Sequence, residues 1–296
     1  MKKKIVVTLL ILSCFFLPFF LKKRTHGFCL EKISSSHPYD KRWETRVLTP
    51  EEKKSIESIL SQNFTFLGSG NHCYAFLSED KKHVIKFFKQ KKMSLSSWMN
   101  FLPLPDLFLP RRVKLIKSRI ARREKEFTSY KIAFEEIQKE TAVIYLHLNK
   151  TFLFQKKLTL IDQHGKRHCF DIDQFEFLIQ KKADLFYDAI INMVNKGEIQ
   201  KSKKCFIELF RLIEKRCQRG LFDDDLMFHK NFGIIDGNPI EIDVGEFIHD
   251  ERWKNPEMYK PQLSNLAQEV RHWLFEHCPL LLKEMEEFLN QFTGSK

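Results

Sequence analysis

The sequence predicts an α+β protein of two lobes, with a strand-rich N-terminal lobe carrying one helix and a helical C-terminal lobe. An apolar N-terminal segment precedes them. Three observations predict this. Residues 63–90 read as strand, glycine turn, strand, acidic-lysine turn (Ser78 to Lys82) and strand. Residues 112–138 repeat apolar side chains (Val113, Ile116, Ile120, Phe127, Tyr130, Phe134, Ile137) three, four or seven apart, the period of one amphipathic helix. Beyond an extended stretch near residue 180 the pattern turns helical, interrupted by GLFDDDLMFHKNFGIIDGNPIEIDVGEF at 220–247. The divisions that follow are 1–24, an anchor or signal segment; 25–62, a tether and capping helix; 63–182, the N-terminal lobe; and 183–296, a short C-terminal lobe.

The segment MKKKIVVTLLILSCFFLPFFLKKR places seventeen uncharged residues, Ile5 to Leu21, between two basic flanks. At about 1.5 Å per residue that run spans a bilayer's hydrocarbon with nothing to spare. It lacks a small-x-small cleavage site, so a signal anchor is expected over a cleaved signal. Ile11-Leu12-Ser13-Cys14 has the outline of a lipoprotein box, but strongly apolar residues continue after the cysteine. Basic residues on both flanks leave orientation open.

Residues 25–48 are polar and irregular, a tether. Thr49-Pro50-Glu51-Glu52 is a helix start: Thr as N-cap, Pro in the first turn, Glu three residues on as a capping box, with the helix running to about Leu60. Phe101 to Pro110 is apolar and broken by proline, and Arg111 to Lys125 holds eight basic residues and one acid. A solvated face explains that run better than a nucleic-acid or lipid-headgroup stripe, and no interleaved aromatics support single-strand stacking. AVIYLHLN (142–149), a hairpin over 159–173 turned at Gln163-His164-Gly165, and FEFLIQK (175–181) read as strands. Leu185 to Asn195, Ser202 to Arg219 and two C-terminal segments read as helices.

With 43% hydrophobic and 30% charged residues, the chain has the composition of a folded globular protein rather than a disordered one. Its 29 phenylalanines reflect coding bias beside so much lysine and, second, a packed aromatic core. Half of the net charge of +12 sits in residues 1–24, so nucleic acid is not an expected partner. The seven cysteines (14, 29, 73, 169, 205, 217, 278) include no C-x-x-C pair, and His164, His168 and Cys169 lack a second ligand pair at zinc spacing. Reduced, mostly buried thiols are expected.

Phosphoryl transfer needs backbone N–H groups around phosphates, a lysine on them, carboxylates for a divalent cation and a group to orient the acceptor. The chain offers each in order. In LGSGNHCYA (67–75), Gly68, Ser69 and Gly70 form a glycine turn, and Val84-Ile85-Lys86 ends a strand sixteen residues after Gly70. Downstream, Asn231 precedes a DGNP turn and Ile240-Glu241-Ile242-Asp243-Val244-Gly245, with Asp243 twelve residues after Asn231. Over residues 63–250 this order resembles the protein-kinase-like superfamily, which includes small-molecule phosphotransferases. Gly68 to Ala75 is similar to its G-x-G-x-x-G-x-V loop, with Cys73 in place of the third glycine and Ala75 in place of valine.

The resemblance implies a divergent member with a two-lobed protein-kinase-like fold, ATP and Mg2+ as cofactors, and a hydroxyl acceptor. Lys86 is then the lysine on the α/β-phosphates, and a helix carboxylate, Glu124 or the favoured Glu126, is its partner. Asn231 and Asp243 become the metal ligands, in the places of the catalytic-loop Asn and the D of D-F-G. The family's catalytic aspartate lies five residues before the Asn, where this chain has Leu226. Asp225 lies six before, beside Asp223 and Asp224, and the histidine of the family's H-R-D is missing. About fifty residues follow Gly245, with no A-P-E segment.

Two readings follow. One is a membrane-tethered phosphotransferase acting on a sugar, a lipid-linked sugar, another small molecule or a protein, with its body at the cytoplasmic face. The other is a pseudokinase that binds without transfer and serves as a membrane-anchored scaffold. A structural protein unrelated to kinases is a third, weaker reading.

Overall fold

The computed structural model describes residues 27–93, 109–223 and 228–293. The Thr49 capping box forms as expected: Thr49 Oγ1 accepts from Glu52 N at 3.2 Å and Glu52 Oε2 accepts from Thr49 N at 2.9 Å. These bonds start α1 (Pro50–Leu60), which buries Ile56, Ile59 and Leu60. The chain then builds β1 (Asn63–Ser69), β2 (Cys73–Ser78) and β3 (His83–Phe88), an antiparallel meander. A long helix α2 (Leu109–Glu135) and a short one, α3 (Gln138–Thr141), lead to β4 (Val143–His147), β5 (Lys157–Ile161), β6 (Arg167–Asp171) and β7 (Phe177–Lys181).

The seven strands make one sheet in the order β4-β7-β3-β2-β1-β5-β6. The β5–β6 hairpin joins β1 with β5 running parallel to it, and its turn carries Gly165 at φ +76°. Asp162 Oδ1 holds the turn, accepting from His164 N at 2.9 Å and Lys166 N at 3.0 Å. The helix expected over 112–138 stops at Glu135. The Thr141 hydroxyl lies 3.0 Å from the carbonyls of both Ala133 and Ile137, offering the helix end a side-chain donor.

Of the tether expected over 25–48, the described residues 27–48 hold two short 3-10 helices, Leu30–Lys32 and Lys41–Trp43, and pack onto the body. Phe28 sits edge-on to Tyr74 and Phe76 at 5.5 and 4.8 Å, and Trp43 edge-on to Phe127 at 5.3 Å. Phe28, Ile33 and Trp43 are spaced without period, so their burial leaves no pattern in the sequence. Among the described residues no helix is long and apolar enough to cross a membrane. The expected span, residues 5–21, lies outside the described residues.

The second half begins with β8 (Asp184–Leu185), α4 (Phe186–Asn195), α5 (Ile199–Gln218) and β9 (Leu221–Asp223). It continues through α6 (Phe228–Asn231), β10 (Phe232–Ile235), β11 (Asn238–Glu241) and β12 (Phe247–His249) to α7 (Pro256–His277) and α8 (Pro279–Thr293). Asp236 (φ +50°) and Gly237 (φ +78°) make the two-residue turn between β10 and β11, a sequence and twist suited to a tight hairpin. β8 pairs with β10 across Gly233. A Cβ there would lie 2.7 Å from Ala183 Cβ and 2.8 Å from Asp184 O, so only glycine admits the linker between the two halves this closely.

Two apolar cores result. One, under the large sheet, gathers Phe64, Phe76, Phe87, Phe127 and Phe177 and also takes in Leu221, Val244 and Phe247 from the second half. The other packs α4 and α5 against α7 and α8 through Phe206, Phe210, Val270 and Met285.

Candidate functional site

The site lies where the sheet meets the strand ends of the second half. Strand alternation buries Ile85 and Phe87 and turns Lys86 the other way. The ladder register sets Gly68, Ala75 and Lys86 in one row across β1, β2 and β3. With no side chain at Gly68 and a methyl at Ala75, the row leaves open floor beside the lysine: a Cβ at Gly68 or Gly70 would meet nothing within 4 Å. The Lys86 ammonium donates to the Ile242 carbonyl. Burial pulls its pKa below the ordinary lysine value, and the neighbouring Asp243 charge opposes that pull.

Asp243 follows β11 on a segment fixed from two sides. Asn231 O, itself buried, accepts from Ile242 N at 2.7 Å and lies 3.4 Å from Asp243 N. From α2, the buried Ser129 hydroxyl donates to Val244 O at 2.6 Å and accepts from Phe247 N at 2.7 Å. Gly245 lies against the α2 face and the glycine turn, where a Cβ would stand 3.3 Å from Tyr130 Oη and 3.5 Å from His72 Cγ. The structure thus sets Lys86 near the half-buried Asp243, and the buried Asn231 meets the Asp243 segment through its main-chain carbonyl. Among the described residues no cluster of three or more His, Cys, Asp or Glu could hold a metal.

The glycine turn is tied down by its own neighbours. Gly70 N donates to Cys73 O at 3.0 Å, the Lys89 ammonium donates to Gly70 O, and the Lys92 ammonium donates to Asn71 O at 2.8 Å. Cys73, in the third-glycine position, is buried with its sulfur 3.2 Å from Tyr130 Oη, and burial pushes its thiol up to about 12. It is a packing residue rather than a reactive thiol.

Among the described residues no ion pair joins Lys86 to Glu126, the carboxylate favoured as its partner. Glu126 is buried, and its Oε1 lies 2.7 Å from Arg122 Nε and 3.0 Å from His72 Nδ1. On the other edge of the ring, His72 Nε2 lies 3.2 Å from Glu246 Oε1, and Lys125 Nζ lies 2.5 Å from Glu246 Oε2. Burial works against a charge on His72, yet Glu126, Asp243 and Glu246 together outweigh it and raise its pKa above the ordinary histidine value. Glu126 Oε2 is buried with no hydrogen-bond partner. The alternative partner, Glu124, faces outward and pairs with Arg42 at 2.9 Å.

Of the three acidic-loop candidates, Asp223 is committed elsewhere. It is buried beside Arg216, whose Nη1 lies 4.0 Å from Asp223 Oδ2 and donates to Glu241. Asp224 and the expected base Asp225 lie outside the described residues. Sequence reasoning missed His72, Glu246, Ser129 and this Arg216 triad. Only Arg216 left a signal, a cation on the buried stripe of α5 formed by Phe206, Leu209, Ile213 and Cys217.

No protein-family model matches the chain, and no curated protein does. Among solved structures, a high-resolution (2.2 Å) crystal structure of WbdD is similar at 15% identity and TM-score 0.37, over 75% of this chain and 44% of that one. A medium-resolution structure of the bifunctional kinase-methyltransferase WbdD gives 16% and 0.35, over 76% and 48%. The Rv3197–erythromycin complex from Mycobacterium tuberculosis gives 14% and 0.31, over 79% and 60%. The chain therefore spans less than half the length of these WbdD structures.

Proposed function

We propose that the chain is an ATP- and Mg2+-dependent phosphotransferase of protein-kinase-like type, tethered to a membrane through residues 5–21 and acting on a hydroxyl acceptor such as a sugar or lipid-linked sugar. The observation that carries the reading is the meeting of Lys86, Asp243 and Asn231 beside an open glycine row, in the order the motif requires. In this reading Gly68, Ser69 and Gly70 leave room for backbone approach to phosphates, Lys86 neutralises their charge, and Asp243 with Asn231 holds Mg2+. Asp225 orients the acceptor hydroxyl. Glu126 Oε2, buried and unpartnered, is the acceptor a repositioned Lys86 ammonium would meet. Chemistry with ATP requires the body on the cytoplasmic face.

A second reading, nucleotide binding without transfer, is favoured by one observation: Lys86 is turned to the Ile242 carbonyl while His72 and Arg122 occupy Glu126. Thermal unfolding of the full chain in detergent micelles, with and without ATP and Mg2+, tests both. Ligand at about 100 times its Kd adds about 2.7 kcal/mol. The shift should vanish in Asp243→Asn and Lys86→Met. No shift at millimolar ATP rejects both readings, whereas a shift without turnover across a panel of acceptors selects the second.

A further inference from the structure

The glycine turn is held from one side. The carbonyls of three successive residues, Gly70, Asn71 and His72, are all taken by the segment that follows β3. The Lys89 ammonium donates to Gly70 O, the Lys92 ammonium to Asn71 O at 2.8 Å, and Lys89 N to His72 O at 2.8 Å. The Lys92 ammonium also donates to the Asn71 side-chain carbonyl, and the Lys89 ammonium lies 4.8 Å from the centre of the Tyr74 ring. Lys91, exposed between them, holds no turn carbonyl among the described residues.

A trans peptide unit is planar, with its N–H antiparallel to the carbonyl that precedes it. Carbonyls drawn toward Lys89 and Lys92 therefore turn the N–H groups of Asn71 and His72 away from that segment. Among the described residues neither Asn71 N nor His72 N donates to an acceptor. Successive free N–H groups in a turn make a concavity suited to an anion. The lysines add to this. Burial pulls both below the ordinary lysine value, and the charge of Lys92 adds to the pull on Lys89. An anion at the turn would favour both charged forms.

We infer that Lys89 and Lys92 are positioning residues for a nucleotide phosphate: they hold the glycine turn so that Asn71 N–H and His72 N–H are presented before the nucleotide arrives. The inference rests on the nucleotide reading of the cleft and adds to it what fixes the turn. A staple serving only the stability of the β1–β2 hairpin would leave phosphate recognition untouched, and the test separates the two.

Isothermal titration of the full chain in detergent micelles compares ATP with adenosine, which lacks the phosphates. If the turn without its lysines presents these N–H groups in about one conformer in ten, the apparent Kd for ATP rises about ten-fold. Lys89→Met/Lys92→Met should show that rise, with adenosine affinity and unfolding temperature unchanged. Lys89→Arg/Lys92→Arg, whose guanidinium groups can donate to the same carbonyls, should recover most of the ATP affinity. Lys91→Met, which removes a neighbouring charge only, should bind ATP as the parent does. Hydrogen–deuterium exchange without nucleotide reads the turn itself. Gly70 N, which donates to Cys73 O at 3.0 Å, should lose protection in the double methionine variant. Unchanged protection there, an equal loss for adenosine and ATP, or a Lys91→Met variant as weak as the double variant would each overturn the proposal. ATP failing to bind the parent would instead reject the nucleotide reading, and with it the ligand named here, whatever the exchange rates show.

Discussion

Removing the guanidinium of Arg216 should unfold the protein far more readily than its place in a helix suggests. Arg216 is 2% exposed and sits with its Cζ 5.4 Å from the centre of the Phe247 ring. Its charge answers two buried carboxylates, Glu241 on β11 and Asp223 at the end of β9. In Arg216→Met both carboxylates stay in the apolar interior without their cation. Breaking a buried pair from one side costs about 3–5 kcal/mol. At about 2 °C per kcal/mol for a chain of this size, the unfolding temperature should drop by about 6–10 °C.

Calorimetry of the full chain checks this. The triple variant Arg216→Met/Glu241→Leu/Asp223→Leu serves as control, because an apolar replacement of a whole buried ionic cluster is often neutral or stabilising. It should recover most of the loss. A single variant melting within about 2 °C of the parent, or a triple variant melting as low as the single, would refute the reasoning. A second signature is pH dependence. Burial raises the Glu241 pKa well above the ordinary glutamate value; Arg216 opposes this and Asp223 adds to it. A carboxyl whose folded pKa is raised contributes stability that is present below its unfolded pKa and lost as pH rises through the folded one. Glu241→Gln should therefore flatten the fall in stability above the ordinary glutamate range.

Two further outcomes are expected. His72, with its raised pKa, should lend the glycine turn stability that is present below the ordinary histidine value and lost as pH rises through the raised one, and His72→Gln should abolish that fall. Parallel unfolding-temperature profiles for parent and variant from pH 6 to 9 would disprove the clamp. Gly233→Ala should destabilise by about 1–3 kcal/mol in chemical denaturation, because its methyl would overlap Ala183 Cβ and Asp184 O; an unchanged midpoint would show that the linker yields freely.

What the sequence made legible is what physics keeps local. The Thr49 cap is complete within four residues, and the Asp236-Gly237 turn within two. That Lys86 and Asp243 would lie near one another was legible from their order along the chain and from alternation within a strand. The β5–β6 hairpin was legible too, but its parallel placement beside β1 depends on a contact nearly a hundred residues long-range, between Asn63 and Thr159, for which no local period exists. The packing of Phe28, Ile33 and Trp43 was illegible for the same reason. The partner of Glu126 is a still finer matter. His72 lies in an unspecified position of the glycine motif, and only the folded turn shows that its ring faces that carboxylate.

That ring bears on the choice between transfer and mere binding. If His72 and Arg122 saturated Glu126, Asp243 would be the carboxylate left to Lys86. They do not: both lie on Oε1, and the buried Oε2 is left without a hydrogen-bond partner. An unsatisfied buried acceptor costs about 1–3 kcal/mol, more for a charged group, so a donor that reached it would recover stability. The Lys86 ammonium has three N–H groups and spends one on the Ile242 carbonyl. Its burial already disfavours the unpaired charge, which makes a second anionic contact more favourable still. His72 and Arg122 therefore hold one oxygen of the Glu126 carboxylate and leave the other to a further donor.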